Sequence, residues 1–330
     1  MASSTSRSEP RIAHVVTLLA VAAVTWTTCA CYTVYVNPEV THYAAGAAFK
    51  RAWAKQMTDK YDAKVVAIGG SSCEFSFDGE RTLRRHALPL VNYGWQAGMG
   101  AAVIAESALA ELRAGDTLVV AIEPTLLTVP LNQPSLGVQL SVAAGHVEWV
   151  TRPALGVGRV GWFDVLVALR PGASHLFLLL GKVARGGPLY RYQRSDYHAS
   201  GWKQTAVRMP IDGPAWHGVT LSPDARLLLR NLRDWCDRHD VRVAYSLPWS
   251  YTPPESREKF RRDNLAFLIQ IAPFFPILRD ARLGVDPELA HYADTQFHLN
   301  ARGSALRSDE LAAQLNHWDV WTPGDLQVMK

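Results

Sequence analysis

Val65-Val66-Ala67-Ile68-Gly69-Gly70-Ser71-Ser72-Cys73 is the stretch on which the fold turns, an apolar β-branched run that stops in two glycines and two serines. Such a run suits a strand covered on both faces, as in a parallel sheet, and residues 64–68 are expected to be that strand. Without a Cβ, Gly69 and Gly70 permit a tight turn and the close approach of another group. A serine at the carboxyl end of a strand then sits where open α/β sheets bind their ligands. Taken alone, Gly-Gly-Ser-Ser is also an ordinary strand-to-loop turn.

Working outward, residues 88–92 read as a second strand. Gly98 opens a helix with Ile104, Ala108 and Leu112 on its buried face and Gly115 at its end. Residues 117–122 form a third apolar strand. Ser222-Pro223 is a helix start, with Leu228, Leu232 and Trp235 on one face. Residues 241–247 give a fourth strand, 256–271 a helix, 276–279 a last strand leading to Asp280, and 301–315 a closing helix. Strands alternating with helices imply βαβ units. The expectation is therefore an α/β domain over residues 64–330: a doubly wound, flavodoxin-like, mostly parallel sheet of about five strands with a large insertion.

That insertion, about 125–219, is rich in Pro, Gly, Trp and Arg. Its apolar stretch 176–180 is bracketed by Arg170, His175 and Lys182 too closely for a membrane span, so a lid or insertion near the membrane surface is expected. Trp149, Trp162, Trp202 and Trp216 offer flat rings for a sugar, or core packing.

Far from the first serines lies Tyr292-Ala293-Asp294-Thr295-Gln296-Phe297-His298-Leu299-Asn300. Asp294 and His298 stand about one turn apart before a helix that Asn300 caps. A nucleophilic serine needs a base near its hydroxyl and a carboxylate to orient that base, and this segment supplies both. Asp280 is a rival carboxylate.

These segments together resemble the SGNH (GDSL-like) hydrolases and acyltransferases. Gly70-Ser71-Ser72 is similar to the first block of that family, with Ser72 in the nucleophile position. Asn92-Tyr93-Gly94-Trp95-Gln96-Ala97-Gly98 resembles the second, which gives Gly98 an oxyanion-binding N–H beside that of Ser72. Asp294 and His298, with Leu299-Asn300, resemble the final block in the Asp-Thr-x-x-His-Leu-Asn form of membrane-anchored members. The third block departs from the family, because Ile122-Glu123-Pro124 stands where an Asn donor belongs. The resemblance implies a triad of Ser72, His298 and Asp294 working through an acyl-serine, without cofactor or metal. By likeness to members of teichoic-acid D-alanylation and polysaccharide O-acetylation, the partners would be a membrane-bound acyl donor protein and a polysaccharide acceptor. O-acyl transfer, acetyl above all, is the expected activity. An esterase or deacetylase, or a degenerate module that binds glycan or a partner, stands beside it.

Ahead of the domain, residues 1–11 are a polar tail, and residues 12–36 contain no Asp, Glu, Lys or Arg. That length crosses a bilayer, whereas a signal-peptide core is usually about 7–15 residues. An uncleaved signal anchor is expected, against a cleaved signal or a buried helix. Arg7 and Arg11 face Lys50, Arg51 and Lys55 in a near tie. The short tail and the resemblance place the N-terminus inside, making a single-pass protein of the inner membrane with an extracytoplasmic domain. Residues 37–63 are expected to be a juxtamembrane helix or linker, with Phe49, Trp53 and Met57 on one face. The net charge of +4 comes from dispersed basic residues, which gives no support for nucleic-acid binding. Cys73 and Cys236 leave a disulfide open.

Overall fold

β-branched and small apolar residues build the centre of the molecule. The computed structural model describes residues 9–131, 135–171, 173–211, 213 and 218–329. Its strands are β1 (Val65–Gly69), β2 (Leu90–Gly94), β3 (Thr117–Ala121), β4 (Arg242–Tyr245), β5 (Ser250–Tyr251), β6 (Ile277–Leu278), β7 (Val285–Asp286) and β8 (Val320–Trp321). Six form one sheet in the order β2-β1-β3-β4-β6-β8, parallel except for β8, which runs antiparallel to β6. β5 and β7 make a separate parallel pair. The main sheet thus has one strand more than the five expected. β8 lies beyond the last expected helix, and a two-residue strand is too short to show a period.

Side chains alternate across the sheet, as period-two geometry requires. Val66, Ile68, Val91, Tyr93, Leu118, Val120, Val243 and Tyr245 join one apolar cluster with the helices Pro38–Lys60, Ala101–Ala108, Pro223–Arg238 and Arg257–Ile271. Val65, Ala67, Leu90, Val119, Ala121 and Ala244 join another that includes Leu311 of the helix Ala301–His317. Cys73 belongs to the second cluster and Cys236 to the first, and both are free and buried. The sheet separates them, which removes the disulfide left open above.

The apolar N-terminal segment is a helix, Glu9–Tyr35, within which Ile12–Tyr35 is long and apolar enough to cross a bilayer. Asn37 breaks it and caps the next helix, Pro38–Lys60, by accepting the Glu39 N–H (3.0 Å). That second helix is no loose linker. Tyr43, Ala47, Trp53 and Met57 are buried in the main core, and Trp53 Nε1 donates to Leu90 O at the start of β2 (2.9 Å). Phe49 lies at its edge, stacked on Tyr197.

The insertion carries the helices Ser135–Ala143, Glu148–Thr151, Trp162–Ala168 and Ala173–Ala184. Its described tryptophans differ in setting. Trp149 is core, Trp202 is buried with Nε1 on Phe75 O (3.2 Å), and Trp162 is exposed. Trp216 lies outside the described residues.

Candidate functional site

The chain leaves β1 at one side of the β1–β3 boundary and returns at β3 on the other, so the carboxyl ends of these strands frame a crevice. Gly70 follows β1 and stands at the N-cap of the short helix Ser71–Ser76. Glu123, two residues past β3, reaches across to it. Its buried carboxylate accepts the Gly70 N–H on Oε2 (2.8 Å) and the Ser72 N–H on Oε1 (2.9 Å). A Cβ on Gly70 would overlap that carboxylate, so any side chain there would have to push the clamp aside. Burial pushes the Glu123 carboxyl up, against hydrogen bonds from Ser72 and Gly70 that favour its charge.

This clamp fixes the phase of the helix, and the phase separates the two serines. Ser72 is fully buried (0 % exposed); its Oγ leans toward Glu123 without closing a well-formed hydrogen bond. Ser71, about 100° round the helix, is half-buried and lines a cavity of about 500 Å³. Ser72, the expected nucleophile, is not in the cavity wall.

The opposite wall comes from the loop before the helix Ala301–His317. Tyr292 and Leu299 form an antiparallel bridge, the Ala293 N–H donates to His298 O (2.8 Å), and Thr295 Oγ1 accepts the His298 N–H (3.2 Å). The resulting tight loop sets Asp294 and His298 side by side, with His298 Nδ1 2.8 Å from Asp294 Oδ1. The four-residue spacing is thus spanned by a hairpin and not by a helical turn. Asn300 closes the loop by capping the next helix through the Arg302 and Gly303 N–H groups.

The imidazole lies flat on the Phe75 ring, with centroids 4.1 Å apart and planes 8° apart. Phe75 and Ser71 are four residues apart on one helix face, so this stack brings His298 alongside the turn that carries Ser71. Ser304 Oγ donates to Ser76 O (3.0 Å), and Ser308 Oγ accepts the Asp78 N–H (2.9 Å), locking the two segments together. Gly98 is exposed in the same cavity, beside Gln96 and Ala97.

The insertion adds residues the sequence did not single out. Tyr192 OH donates to Asp294 Oδ2 (2.8 Å), and Arg191 Nη1 lies 3.4 Å from the same oxygen. Burial pushes the Asp294 carboxyl up, but its bonds with His298 and Tyr192 and the Arg191 charge outweigh this and hold it below the ordinary range. Behind the cavity, Glu74 is fully buried between Lys50 (3.4 Å) and Lys203 (3.5 Å) and accepts from Tyr197 OH (2.8 Å). Burial opposes the Glu74 charge, yet the two ammonium groups prevail and keep its carboxyl low. The Lys203 ammonium also sits over the Tyr192 ring, 3.7 Å from its centroid, which ties this buried cluster to the Asp294 partner.

The rival carboxylate stands elsewhere. Asp280 accepts the Arg282 and Gly284 N–H groups of its own turn. A second buried pair, His291 Nδ1 with Asp286 Oδ2 (2.8 Å), lines no part of the cavity. Among the described residues, no group of three or more His, Cys, Asp or Glu side chains is arranged to hold a metal ion. Comparison with protein-family models, curated proteins and solved structures finds no match.

Proposed function

We propose that the chain is a membrane-anchored serine O-acyltransferase whose nucleophile is Ser71, acting on a polysaccharide outside the cytoplasm. The observation that carries this reading is that His298, held by Asp294, shares one cavity with Ser71 and Gly98. The sheet is then read as doubly wound and flavodoxin-like, with the site at its switch point.

In this mechanism Ser71 Oγ attacks an acyl carbonyl while His298 Nε2 takes its proton, since Nδ1 is engaged by Asp294. The N–H groups of Ser71 and Gly98 receive the oxyanion, and each such donor typically lowers the barrier by about 3 kcal/mol. The Ser72 N–H is already bound to Glu123, a further reason to prefer Ser71. Collapse expels the leaving group with the proton from His298. An acceptor hydroxyl then gives its proton to His298 and takes the acyl group, restoring Ser71. The hydroxyl and amide groups of Tyr190, Tyr192, Thr295, Gln96 and Gln296 in the cavity wall suit a polyol acceptor, and the anchor suits a donor held in the membrane. Resolution by water, giving an esterase, uses the same residues; the open, polar cavity is what favours that second reading.

The test is fluorophosphonate labelling of the full chain in detergent. Ser71→Ala and His298→Ala should abolish labelling, and Ser72→Ala should keep most of it. Labelling lost in Ser72→Ala and kept in Ser71→Ala would return the nucleophile to Ser72, and an unlabelled but folded wild type would sink acyl-serine chemistry. Release of acetate from an aryl acetate, with and without an oligosaccharide present, separates transfer from hydrolysis.

A further inference from the structure

The insertion helices Trp162–Ala168 and Ala173–Ala184 pack against the apolar N-terminal helix itself. Trp26 Nε1 donates to Leu166 O (2.9 Å), and Tyr32 OH lies 3.1 Å from His175 Nε2. Ala23 and Trp26 share an almost wholly apolar groove of about 490 Å³ with Phe163, Leu166, Val167 and Arg170. Large apolar side chains on both helices point away from the protein, with Phe163 75 %, Phe177 74 %, Leu178 69 % and Leu180 64 % exposed. Trp26 stands nine positions before Tyr35 in one continuous helix. At 1.5 Å per residue it is roughly 13 Å deeper along the axis than the point where that helix ends. If Ile12–Tyr35 crosses a bilayer, whatever packs on Ala23 and Trp26 stands at the same height.

We infer that these two helices form a shallow wedge in the outer leaflet beside the anchor, with lipid acyl chains covering Trp162, Phe163, Phe177, Leu178 and Leu180. The occupant is lipid and not a second protein because the patch adjoins the anchor at Ala23 and Trp26, and the anchor's own Val15, Leu18, Leu19 and Val21 are exposed as well. The polar groups fit a wedge at the headgroup boundary. Asp164 caps the start of its helix through the Gly161 N–H (3.1 Å), Arg170 follows that helix, and Lys182 sits in the last turn of the other. Lys182 also lines the catalytic cavity, with Glu39 from the residues just past the anchor. The cavity mouth therefore lies at the membrane surface, within reach of an acyl group carried by a membrane-embedded donor. The wedge rests on the anchor and not on the acyl-serine chemistry.

The test uses the full chain in vesicles of phosphatidylcholine and phosphatidylglycerol that contain a phospholipid with a photoactivatable diazirine on its upper acyl carbons. After irradiation and digestion, adducts are expected on the peptides carrying Phe163, Phe177, Leu178 and Leu180, at a density within about threefold of that on residues 12–24. A diazirine at the chain end should label the anchor and leave the wedge at least threefold weaker. Adducts confined to the anchor with the first lipid overturn the inference, and equal labelling by both lipids overturns the shallow placement. Ser71→Ala should give the wild-type pattern, so that a failure of the catalytic reading leaves this result intact.

Discussion

Tyr192 shows how a single hydroxyl can tune the pair it touches. It gives Asp294 Oδ2 a hydrogen bond of 2.8 Å, one of the contacts holding that carboxyl below its ordinary range against the pull of burial. A group held low stays charged until the pH falls through its folded value, so function that depends on charged Asp294 is present above that value and lost below it. Tyr192→Phe raises the folded value. The labelling rate at neutral pH should fall about tenfold, the worth of one hydrogen bond to a charged group. An unchanged rate would show that Tyr192 only packs. At this scale the sequence was partly legible. Asp294 and His298 stood out because acid and base lay close together in the chain. The distinction between Ser71 and Ser72 was out of reach, because one residue of helical phase is decided by Glu123, some fifty positions away. Tyr192 sits in a stretch with no period to mark it.

Elements were legible where their signals are local. Ser222 caps its helix by accepting the Ala225 N–H (3.1 Å), and Asn300 caps another, both as the sequence indicates. The buried runs of β1 and β3 fall where their apolar residues place them. Two-residue strands such as β6 and β8 depend on neighbours for their existence, and the sequence carried no signal for β8. The packing of Ala301–His317 on the helix Gly79–His86 is likewise tertiary. There, Asp309 meets Arg81 with two short bonds (2.8 and 2.6 Å) and His86 with a third (2.9 Å). The Arg81 bonds, against partial burial and with His86 adding to them, bring the Asp309 carboxyl down to about 2. Its contribution to stability is thus complete above about pH 4 and lost as pH falls toward 2. Half-exposed networks of this kind are worth about 1 kcal/mol, or about 3 °C in melting temperature. Asp309→Asn should show that deficit from pH 7 to 5 and close the gap near pH 2. A gap that is constant across the range would mean that shape and not charge matters here.

Over the whole molecule, His42 marks the place where its parts meet. It stands on the first helix after the apolar N-terminal one, surrounded by the rings of Tyr43, Tyr190, Tyr192 and Tyr197, with its Nε2 buried and unpartnered. Burial, helped by the Lys203 charge, pulls its pKa down to about 3, although Glu74 pulls the other way. Between about pH 6.5 and 3 the unfolded chain takes up a proton that the folded protein refuses, so this residue costs stability as pH falls. From pH 7 to 5 the loss is about 2 kcal/mol. His42→Phe keeps the ring among its aromatic neighbours and removes the proton. Its melting temperature should fall less between pH 7 and 5 than that of the wild type, by several degrees; parallel curves would show that another group governs the acid response.

The same helix decides what can be cut away. Glu39 and Tyr43 stand in the cavity wall, and Lys50 neutralises Glu74 behind it, although all three precede the first strand. A fragment that begins at Asn37 keeps the lining of the cavity, whereas one that begins after Lys60 lacks part of its wall. The part of the chain that builds the cavity thus begins before the first strand, earlier than the sheet alone would place it.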